Sequence, residues 1–345
     1  MSIAFVGDSG GTSGQRLAAL TRLGHRVTHV DPYAALAGVP FSGTWTFKTG
    51  ALGLADFIKL HVLRALGDKR FDLVFVDSGD LIGPALVRDL KARSRVVVNY
   101  NVDNPFVPRD GRRWRLFLRA LPHYDLFVTP RRANVDDAYR AGAKHVLRVT
   151  LSADEITHST SAFTPEDLTP YKSEVAFVGT WMPERGPIMA RLVEKGVPLR
   201  IFGNRWNKAP EYKTLAPHIT LGALNGADYV KAVAGTQIAL ALLSKGNEDL
   251  HTQRSLEIPA IGRLLCGERT SDHVDFYREG EEAVFWSDAD ECAALCLSLL
   301  SDPARIDRIA AAGAARVRAN QAFNEPILAR ILDEAFAPRS LAAAP

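Results

Sequence analysis

The chain has 345 residues, of which 47% are hydrophobic and 23% charged, and its formal net charge at pH 7 is +3. This composition is typical of a soluble globular protein with two domains of ordinary size, and so small a net charge gives no reason to expect a nucleic-acid partner. Three cysteines exclude a disulfide framework, and no stretch reaches the ~18 apolar residues of a membrane span.

The amino terminus shows no basic segment followed by an apolar one, so no signal peptide is predicted. We therefore expect a cytoplasmic protein, with attachment to the inner face of the membrane as a second hypothesis. Cys292 and Cys296 are four residues apart and should share one helix face as buried free thiols.

Short apolar runs alternate with helical patterns through the first half of the chain. This alternation is typical of βαβ units on a parallel sheet, and it predicts a Rossmann-like domain over residues 1–151. The predicted strands are 3–7, 26–30, 72–76, 95–100, 125–129 and 145–148, and the predicted helices are 14–23, 55–66, 84–92, 112–121 and 134–141.

A second Rossmann-like domain is predicted over residues 173–322. Residues 152–172 contain Pro165 and Pro170 without a long apolar run, which indicates a linker. After it the strand end Ala-Phe-Val-Gly of residues 4–7 recurs at residues 176–179. Residues 323–345 are expected to form a C-terminal helix and tail that can cross back to the first domain. The predicted strands are 174–179, 199–203, 218–222, 238–243 and 263–266, with helices at 187–195, 227–234 and 255–261 and a helical segment over 288–335.

A glycine-rich turn follows the first strand. Its backbone N–H groups, at a helix start, can bind a phosphate or an acceptor group through Gly10, Gly11, Thr12 and Ser13. The spacing differs from G-x-G-x-x-G, although Asp31 stands where a dehydrogenase would hold a ribose, so an NAD(P)-dependent oxidoreductase stays an alternative. Another alternative is that this segment is only a tight turn between a strand and a helix, whose conformation requires glycine.

Two strand ends in the second domain combine glycine with polar or aromatic residues. Gly179 and Thr180 precede Arg185, which can bind a phosphate through two hydrogen bonds. Gly203, Asn204 and Trp206 form a mixed rim of the kind that holds bases and sugars by stacking and hydrogen bonding.

The segment from Asp249 to Gly262 is the most informative part of the sequence. Ser255 is predicted to cap a short helix, with Arg254 beside the free N–H groups, which is the pattern of a pyrophosphate site. Glu257, in the first turn, can accept the hydroxyls of a ribose. The alternative is that Arg254 and Glu257 form a surface pair at helical spacing. His251, Arg254, Ser255 and Glu257 complete the predicted donor-binding set.

This segment and the motifs after it resemble the CgeB-like (spore maturation protein) branch of the GT-B glycosyltransferases, with a group-1-like C-terminal domain. The likeness extends over about residues 174–323 and is only topological before that. The motifs are R-x-x-E-x-x-A-x-G over Arg254–Gly262, the turn Phe276–Val284, the helix end Leu299–Pro303 and Ile309–Gly313.

The resemblance implies an α/β GT-B fold, with two Rossmann-like domains facing each other across a cleft and the donor held by the second. It also implies transfer of a sugar from a UDP-, GDP- or TDP-sugar without a metal or other cofactor. In the retaining relatives an acid, seven other residues and a glutamate mark the donor site. Glu257 matches the second acid, which those enzymes place on the ribose. Asp249 occupies the first position in place of the usual glutamate, and the adjacent Glu248 can substitute for it.

An inverting mechanism would also need a base on the acceptor side. The best candidate is Asp103, which follows a predicted strand, and Asp8 is the second. The alternative is that Asp103 only shapes the turn before Pro105. The acceptor itself is open: a glycan, a lipid-linked glycan, a protein or a small molecule.

Arginines alternate with apolar residues over 109–121, and the pattern has three interpretations. The segment can lie on an anionic membrane as a basic amphipathic helix, bind an acidic acceptor, or be an ordinary domain helix with a solvated face. The arginines are Arg109, Arg112, Arg113, Arg115 and Arg119, and the apolar residues are Trp114, Phe117, Leu118 and Leu121.

Other functions suit the same fold. A nucleotide-sugar epimerase, hydrolase or phosphorylase would bind the same donor, and a non-catalytic binding protein would keep only part of the site. Hydrolysis of a nucleotide sugar without an acceptor would favour one of these other enzymes. Failure to bind any nucleoside diphosphate would favour the non-catalytic binding protein.

Overall fold

The computed structural model describes residues 1–338, so the end of the predicted tail, residues 339–345, lies outside the described residues. Contacts between Cα atoms divide the chain into two compact units, residues 1–150 with the segment from residue 324 onward, and residues 151–323. Each unit contains one sheet of six strands, all parallel.

The first unit has the strand order β2-β1-β3-β4-β5-β6, and the side chains of its strands alternate between two buried clusters, one on each face of the sheet. A parallel sheet covered on both faces needs such apolar strands. The strands are β1 (Ser2–Val6), β2 (Arg26–Val30), β3 (Phe71–Asp77), β4 (Ser94–Tyr100), β5 (Leu126–Thr129) and β6 (Val146–Arg148). The helices are α1 (Gly11–Arg22), α2 (Ser42–Thr49), α3 (Ala55–Leu66), α4 (Pro84–Lys91), α5 (Arg115–Ala120) and α6 (Ala133–Arg140).

The second unit has the strand order β12-β11-β10-β7-β8-β9. Strands β8 and β9 therefore lie on one side of β7, and β10, β11 and β12 lie on the other. The strands are β7 (Ser173–Val178), β8 (Leu199–Gly203), β9 (Ile219–Leu221), β10 (Thr236–Ala241), β11 (Leu264–Glu268) and β12 (Val284–Trp286). The helices are α7 (Pro165–Leu168), α8 (Arg185–Glu194), α9 (Tyr212–Leu215), α10 (Gly226–Ala234), α11 (Gln253–Ala260), α12 (Ser271–Phe276), α13 (Ala289–Leu300) and α14 (Pro303–Ala319).

The two parallel sheets confirm the predicted α/β class. In the first unit every predicted strand is present within two residues of its predicted bounds, because continuous apolar runs between glycine and polar residues are a strong strand signal. The helix predicted at 112–121 is shorter, since only Arg115–Ala120 is α-helical.

Residues 152–172, which the sequence indicates as a linker, are counted with the second unit. Part of the segment is buried there, including Ser152, Asp154 and His158. The backbone N–H of Ala153 donates to the carbonyl of Ala322, 3.1 Å away. The short helix α7 within the segment begins with a capping box between Thr164 and Asp167.

The final helix, α15 (Asn324–Phe336), is grouped with the first unit. Its buried side chains join one of the two clusters on the first sheet. Arg22 of α1 forms an ion pair with Glu325 at 2.5 Å, and His145 contacts Glu334 at 2.6 Å.

Candidate functional site

The candidate site of the second unit lies at the carboxyl ends of β7 and β10, which are neighbours in the sheet. Ligands of open parallel sheets bind where the strand order reverses, and this is the point where it does so here. Gly179 and Thr180 follow β7, Leu242 and Leu243 follow β10, and helix α11 begins shortly after.

Gly179 and Gly203 allow two strand ends to approach each other closely. A Cβ atom on Gly203 would lie 2.0 Å from the carbonyl oxygen of Gly179, so only glycine fits there. That same oxygen accepts a hydrogen bond of 2.8 Å from the indole N–H of Trp206. Trp206 is fully buried, so the prediction that it forms a ligand-binding rim is wrong. Asn204 is exposed, and its carbonyl accepts from the backbone N–H of Trp181 at 2.9 Å.

Arg185 begins helix α8 and is 5% exposed. Its guanidinium donates to the carbonyl oxygens of Thr180 (2.8 Å) and Leu242 (3.3 Å), which bridges the ends of β7 and β10. The buried Nε has no hydrogen-bond partner in the described part of the chain. Burial, together with repulsion from Arg254, lowers the pKa of Arg185 to about 10.

Arg254, the second residue of α11, extends its side chain to the end of β7. Its Nε donates to the carbonyl of Val178 at 2.6 Å. Another guanidinium nitrogen lies 3.4 Å from the position a Cβ would take on Gly179, so the absence of a side chain there leaves room for it. Within residues 1–338 neither Arg185 nor Arg254 forms an ion pair with a carboxylate. The two cations together attract an anion.

Helix α11 does not begin where the sequence predicts. Thr252 is the N-cap and Ser255 is the third helical residue, in a capping box in which the Thr252 N–H donates to Ser255 Oγ at 3.0 Å. Ser255 Oγ also lies 2.7 Å from His273 Nε2, and the residue is 1% exposed. The prediction of Ser255 as N-cap is therefore wrong, because the threonine three residues earlier takes that role. Gly262, with φ +88°, follows the helix end as predicted.

Glu257 lies in the second turn of α11, not in the first. Tyr229 donates its hydroxyl to Glu257 Oε2 at 2.5 Å, and His158 Nε2 lies 3.5 Å from Oε1. Burial and the adjacent carboxylate raise the pKa of Tyr229 well above its ordinary value. The sequence interpretation missed Tyr229 and His158, because neither belongs to a motif and His158 lies in the segment interpreted as a linker.

Asp249, Glu248 and His251 lie in the loop between β10 and α11. The Asp249 carboxylate accepts from Ser244 N (3.4 Å) and Asn247 Nδ2 (3.3 Å), which shapes the turn, and Glu248 is exposed with φ +55°. His251 is buried with partners on both ring nitrogens, Asp272 at 2.9 Å and the N–H of Leu151 at 3.2 Å. Both ring nitrogens of His251 are thus used within the protein, and its predicted donor-binding role stays a prediction.

One acidic residue near this loop is not among the residues predicted from the sequence. Glu268, at the end of β11, is 7% exposed and accepts from the N–H of Leu243 at 2.8 Å. Its other oxygen forms an ion pair with Lys245. A charged residue at the end of an apolar strand is a signal that would have found it.

The first unit has a cavity of about 490 Å³ at the carboxyl ends of its strands, bordered by the glycine-rich turn. Helix α1 begins at Gly11, earlier than predicted. A Cβ on Gly14 would lie 2.1 Å from the carbonyl of Ser9, so this turn requires glycine. The Gly10 N–H donates to Asp8 at 2.9 Å. The lining residues are Asp8, Gly10, Gly11, Thr12, Ser13, Arg16, Tyr33, Asp77, Ser78, Val102, Asp103 and Arg113.

Two arginine–carboxylate pairs border this cavity. Arg16 and Asp77 form a buried pair with two hydrogen bonds, of 2.6 and 3.0 Å. Arg113 donates to Asp80 at 2.8 Å, and the Tyr33 hydroxyl donates to the other oxygen of the same carboxylate. The cavity is therefore polar and holds both signs of charge, which suits a ligand with hydroxyl groups.

Asp103 lies on this cavity, as its place after β4 predicts. Burial raises the pKa of Asp103, although the nearby Arg113 and Arg131 oppose the rise. Its backbone N–H donates to Asn101 Oδ1 at 2.9 Å. A carboxylate with a raised pKa in a polar cavity is a suitable proton acceptor.

Asp31 directly follows β2, where the sequence places it, but its carboxylate has a structural role there. Its carboxylate accepts from the N–H of Tyr33 at 2.8 Å and caps the 3-10 turn that follows β2. The glycine-rich turn also lacks the dinucleotide spacing. The structure thus gives no support to the oxidoreductase alternative.

The basic segment 109–121 keeps most of its apolar side chains inside the first unit, and Leu118 is half-buried. Trp114, Phe117 and Leu121 are at most 2% exposed, so they cannot enter a membrane as an amphipathic helix would. Arg109, Arg112, Arg115 and Arg119 are exposed. None of the helices in residues 1–338 has the length and apolar character needed to cross a bilayer.

Potential metal ligands converge at one place in the described residues. The sulfur atoms of Cys266, Cys292 and Cys296 lie within 4.8 Å of one another in the core of the second unit. All three thiols are buried, as predicted for Cys292 and Cys296 on one face of α13.

A family model described as "Glycosyl transferase-like" matches residues 185–332. Comparison of the sequence with curated proteins gives no significant match. The following comparisons are with solved structures.

HepE from Anabaena, crystallised with UDP and glucose, is 13% identical with a TM-score of 0.67, and the match covers 97% of this chain and 100% of that one. Sucrose-phosphate synthase from Thermosynechococcus elongatus is 13% identical with a TM-score of 0.69, and the match covers 98% and 99%. A putative UDP-N-acetylglucosamine 2-epimerase from Listeria monocytogenes is 10% identical with a TM-score of 0.58, and the match covers 98% and 97%.

None of these comparisons bears on the narrower CgeB-like resemblance, which stays a prediction. What they establish is the architecture: the chain has the GT-B fold, and most of the segment that the glycosyl transferase-like family model matches lies in the second unit.

Proposed function

We propose that this chain is a glycosyltransferase that transfers a sugar from a nucleoside-diphosphate sugar to a hydroxyl-bearing acceptor without a metal ion. The observation that carries the proposal is the pair Arg185 and Arg254 at the switch point of the second sheet. Both guanidiniums are anchored by backbone carbonyls, and neither has a carboxylate partner in the part of the chain that the structure describes. A diphosphate would supply the missing negative charge.

The donor would bind with its diphosphate on these arginines and on the N–H groups at the start of α11. Glu257 would accept hydroxyls of the ribose, because a carboxylate can accept more hydrogen bonds than the one from Tyr229. Asp249 or Glu248 would lie nearer to the sugar. HepE, a structural neighbour, was crystallised with UDP, so UDP is the first candidate for the leaving group among UDP, GDP and TDP.

Charge develops on the leaving diphosphate as the glycosidic bond breaks. Positioned cations stabilise such charge without the reorganisation that water would need. Arg185 and Arg254 would therefore do the work that a divalent metal does in other transferases.

A thermal-shift and calorimetric titration with UDP, GDP and TDP tests the donor site. A nucleotide at about 100 times its Kd adds about 2.7 kcal/mol to stability, which is easily seen. Arg254→Gln removes a charge-assisted hydrogen bond and should weaken binding of that nucleotide by about 10- to 100-fold. Glu257→Gln should weaken it as well.

The matched control is Arg200→Gln, which removes another arginine of the second unit that donates to a backbone carbonyl, that of Pro170 at 2.7 Å. It should leave nucleotide binding unchanged. Equal weakening by Arg200→Gln and Arg254→Gln, or binding of none of the three nucleotides, would refute the donor site.

The acceptor is proposed to bind in the polar cavity of the first unit, with Asp103 as the base. Asp103→Asn should lower kcat by about 100-fold or more while nucleotide binding is retained, and Asp56→Asn, an exposed acid of the same unit, should not. Since the pKa of Asp103 is raised, activity should fall on acidification at a pH above the usual range of an aspartate. A kcat for Asp103→Asn within threefold of wild type would argue against the base.

The second candidate is a nucleotide-sugar epimerase or hydrolase, which the fold match to the Listeria protein favours. Incubation of the chain with UDP-sugars and no acceptor separates the two. Rapid release of UDP would indicate a hydrolase. A change of configuration in the recovered UDP-sugar would indicate an epimerase. Either result would argue against a glycosyltransferase.

A further inference from the structure

Large apolar side chains are exposed along one stretch of the first unit, residues 39–52, which we name the apolar segment. Phe41 is 85% exposed, Leu52 58%, Trp45 49% and Phe47 46%. Single exposed apolar residues are ordinary, but a run of aromatic ones is typical of a surface that meets a partner.

The backbone conformation of the apolar segment keeps these side chains exposed to solvent. Phe41 precedes helix α2 in the left-handed conformation, with φ +58°, which is rare for an aromatic residue. The indole N–H of Trp45 donates to the carbonyl of Leu52 at 2.9 Å, so these two residues lie side by side. Between Pro32 and Ala55 the sequence contains neither Asp nor Glu.

A basic surface adjoins the apolar segment. The N–H of Arg112 donates to the carbonyl of Phe47 at 3.0 Å, and a Cβ on Gly111 would lie 3.3 Å from the Phe47 ring. Arg112, Arg115 and Arg119 are exposed, and within the described chain none of them forms an ion pair.

These three arginines line a shallow groove of about 570 Å³, together with Pro105, Gly111, Trp114 and Leu118. Guanidinium groups over an apolar floor suit a phosphate that carries an aliphatic body. The groove and the apolar segment therefore form one continuous surface with two kinds of contact.

We propose that this surface docks on an anionic phospholipid bilayer. The arginines of the groove bind headgroup phosphates, while Phe41, Trp45 and Leu52 enter the interface between headgroups and acyl chains. A bilayer accepts protruding side chains without a complementary shape, and aromatic residues favour that depth. The apolar contact thus comes mainly from the segment before the basic residues, because Leu116 and Phe117 of α5 are buried and Leu118 is half-buried in the groove.

The charge pattern favours an anionic surface over a neutral one. Each basic residue near an anionic membrane strengthens binding by a factor of about five, and salt screens this attraction over about 10 Å. The proposal does not depend on the donor site, since no residue of the surface belongs to it.

Vesicle flotation with the full chain tests the proposal. Vesicles of phosphatidylcholine with phosphatidylglycerol should bind the chain, and vesicles of phosphatidylcholine alone should not. The triple variant Arg112→Gln, Arg115→Gln and Arg119→Gln should bind about 100-fold more weakly, and binding by the wild type should fall as salt rises. The double variant Phe41→Ser and Leu52→Ser should bind at least tenfold more weakly at any salt concentration.

Two matched controls remove the same kinds of residue elsewhere. The triple variant Lys69→Gln, Lys208→Gln and Lys213→Gln removes three exposed charges, and Ile156→Ser removes a side chain that is 65% exposed. Both should bind vesicles within twofold of wild type. An unchanged far-UV circular dichroism spectrum and an unchanged melting temperature show that the test variants are folded.

Three results would overturn the proposal: no vesicle binding, equal binding to both vesicle types, or equal losses in test and control variants. If vesicles do not bind but inorganic phosphate protects the groove from arginine modification, the groove is a site for a soluble phosphate compound. If vesicles do not bind but an acidic polypeptide does, the partner is a protein.

Discussion

At the residue scale, one proline explains the position of a tyrosine. Pro259 lies inside α11 and has no N–H to donate to the carbonyl of Ser255 one turn earlier. The hydroxyl of Tyr277 donates to that carbonyl at 2.6 Å. Tyr277 is buried, so it replaces the missing helix hydrogen bond where water cannot.

Tyr277→Phe should therefore leave the carbonyl of Ser255 without its donor and lower the free energy of unfolding by about 1–3 kcal/mol. Urea denaturation followed by circular dichroism measures this. Tyr171→Phe is the control, because it removes a hydroxyl that donates to Asp228 at 3.0 Å on the surface, and it should cost well under 1 kcal/mol. Equal stabilities of the two variants would show that Tyr277 contributes only its ring.

The sequence predicts which residues lie near the site better than it predicts where their side chains point. Gly179, Arg185, Arg254 and Asp103 lie at strand or helix ends, where parallel sheets place ligands. Trp206 and His251 come from the same segments, yet both are turned inward and hydrogen-bonded. A pattern of residue types does not determine a side-chain rotamer. The rotamer decides whether a polar atom faces a ligand or the core.

At the element scale, two of the motifs that carry the family resemblance contact each other. A Cβ on Gly313 of α14 would lie 2.4 Å from the carbonyl oxygen of Glu282, so this helix requires glycine to approach the turn. The Glu282 carboxylate accepts from Arg316 at 2.7 Å and from Arg278 at 2.8 Å. Although burial opposes it, these hydrogen bonds lower the pKa of Glu282 to about 2. The close approach at Gly313 and the hydrogen bonds of Glu282 thus give both motifs a role in packing.

Strands are predicted more accurately than helices in this chain, for a physical reason. A buried parallel strand is a continuous apolar run that ends at polar residues, as in β3 and β10. The ends of a helix depend on capping, and here Thr252 caps α11 and Gly11 begins α1, whereas the sequence favours Ser255 and Gly14. In residues 109–121 the alternation of arginine and apolar residues suggests a long helix, but a 3-10 turn precedes α5 and another follows it.

At the scale of the whole molecule, the chain returns to its first unit after completing the second. Helix α15 adds Ile327, Leu328, Ile331 and Leu332 to a cluster with Phe5, Leu20 and Phe75. The stability of the first unit therefore depends on residues more than 300 positions from its first strand. The sequence alone supports such a crossing only as one option, because the apolar face of the last helix could cover either sheet.

Ile331→Asp tests this dependence. An unpaired carboxylate at a fully buried position should destabilise the first unit by roughly 3–5 kcal/mol. Hydrogen exchange should show faster exchange at the amides of α1 and β4, while β7 and β10 keep their protection, because the core of the second unit contains none of α15.

Arg330→Asp, at an exposed position of the same helix, is the matched control and should change the exchange rates of neither set of amides. Loss of protection in both units together would mean that they unfold as one cooperative body. In that case α15 would stabilise the whole chain and not the first sheet alone.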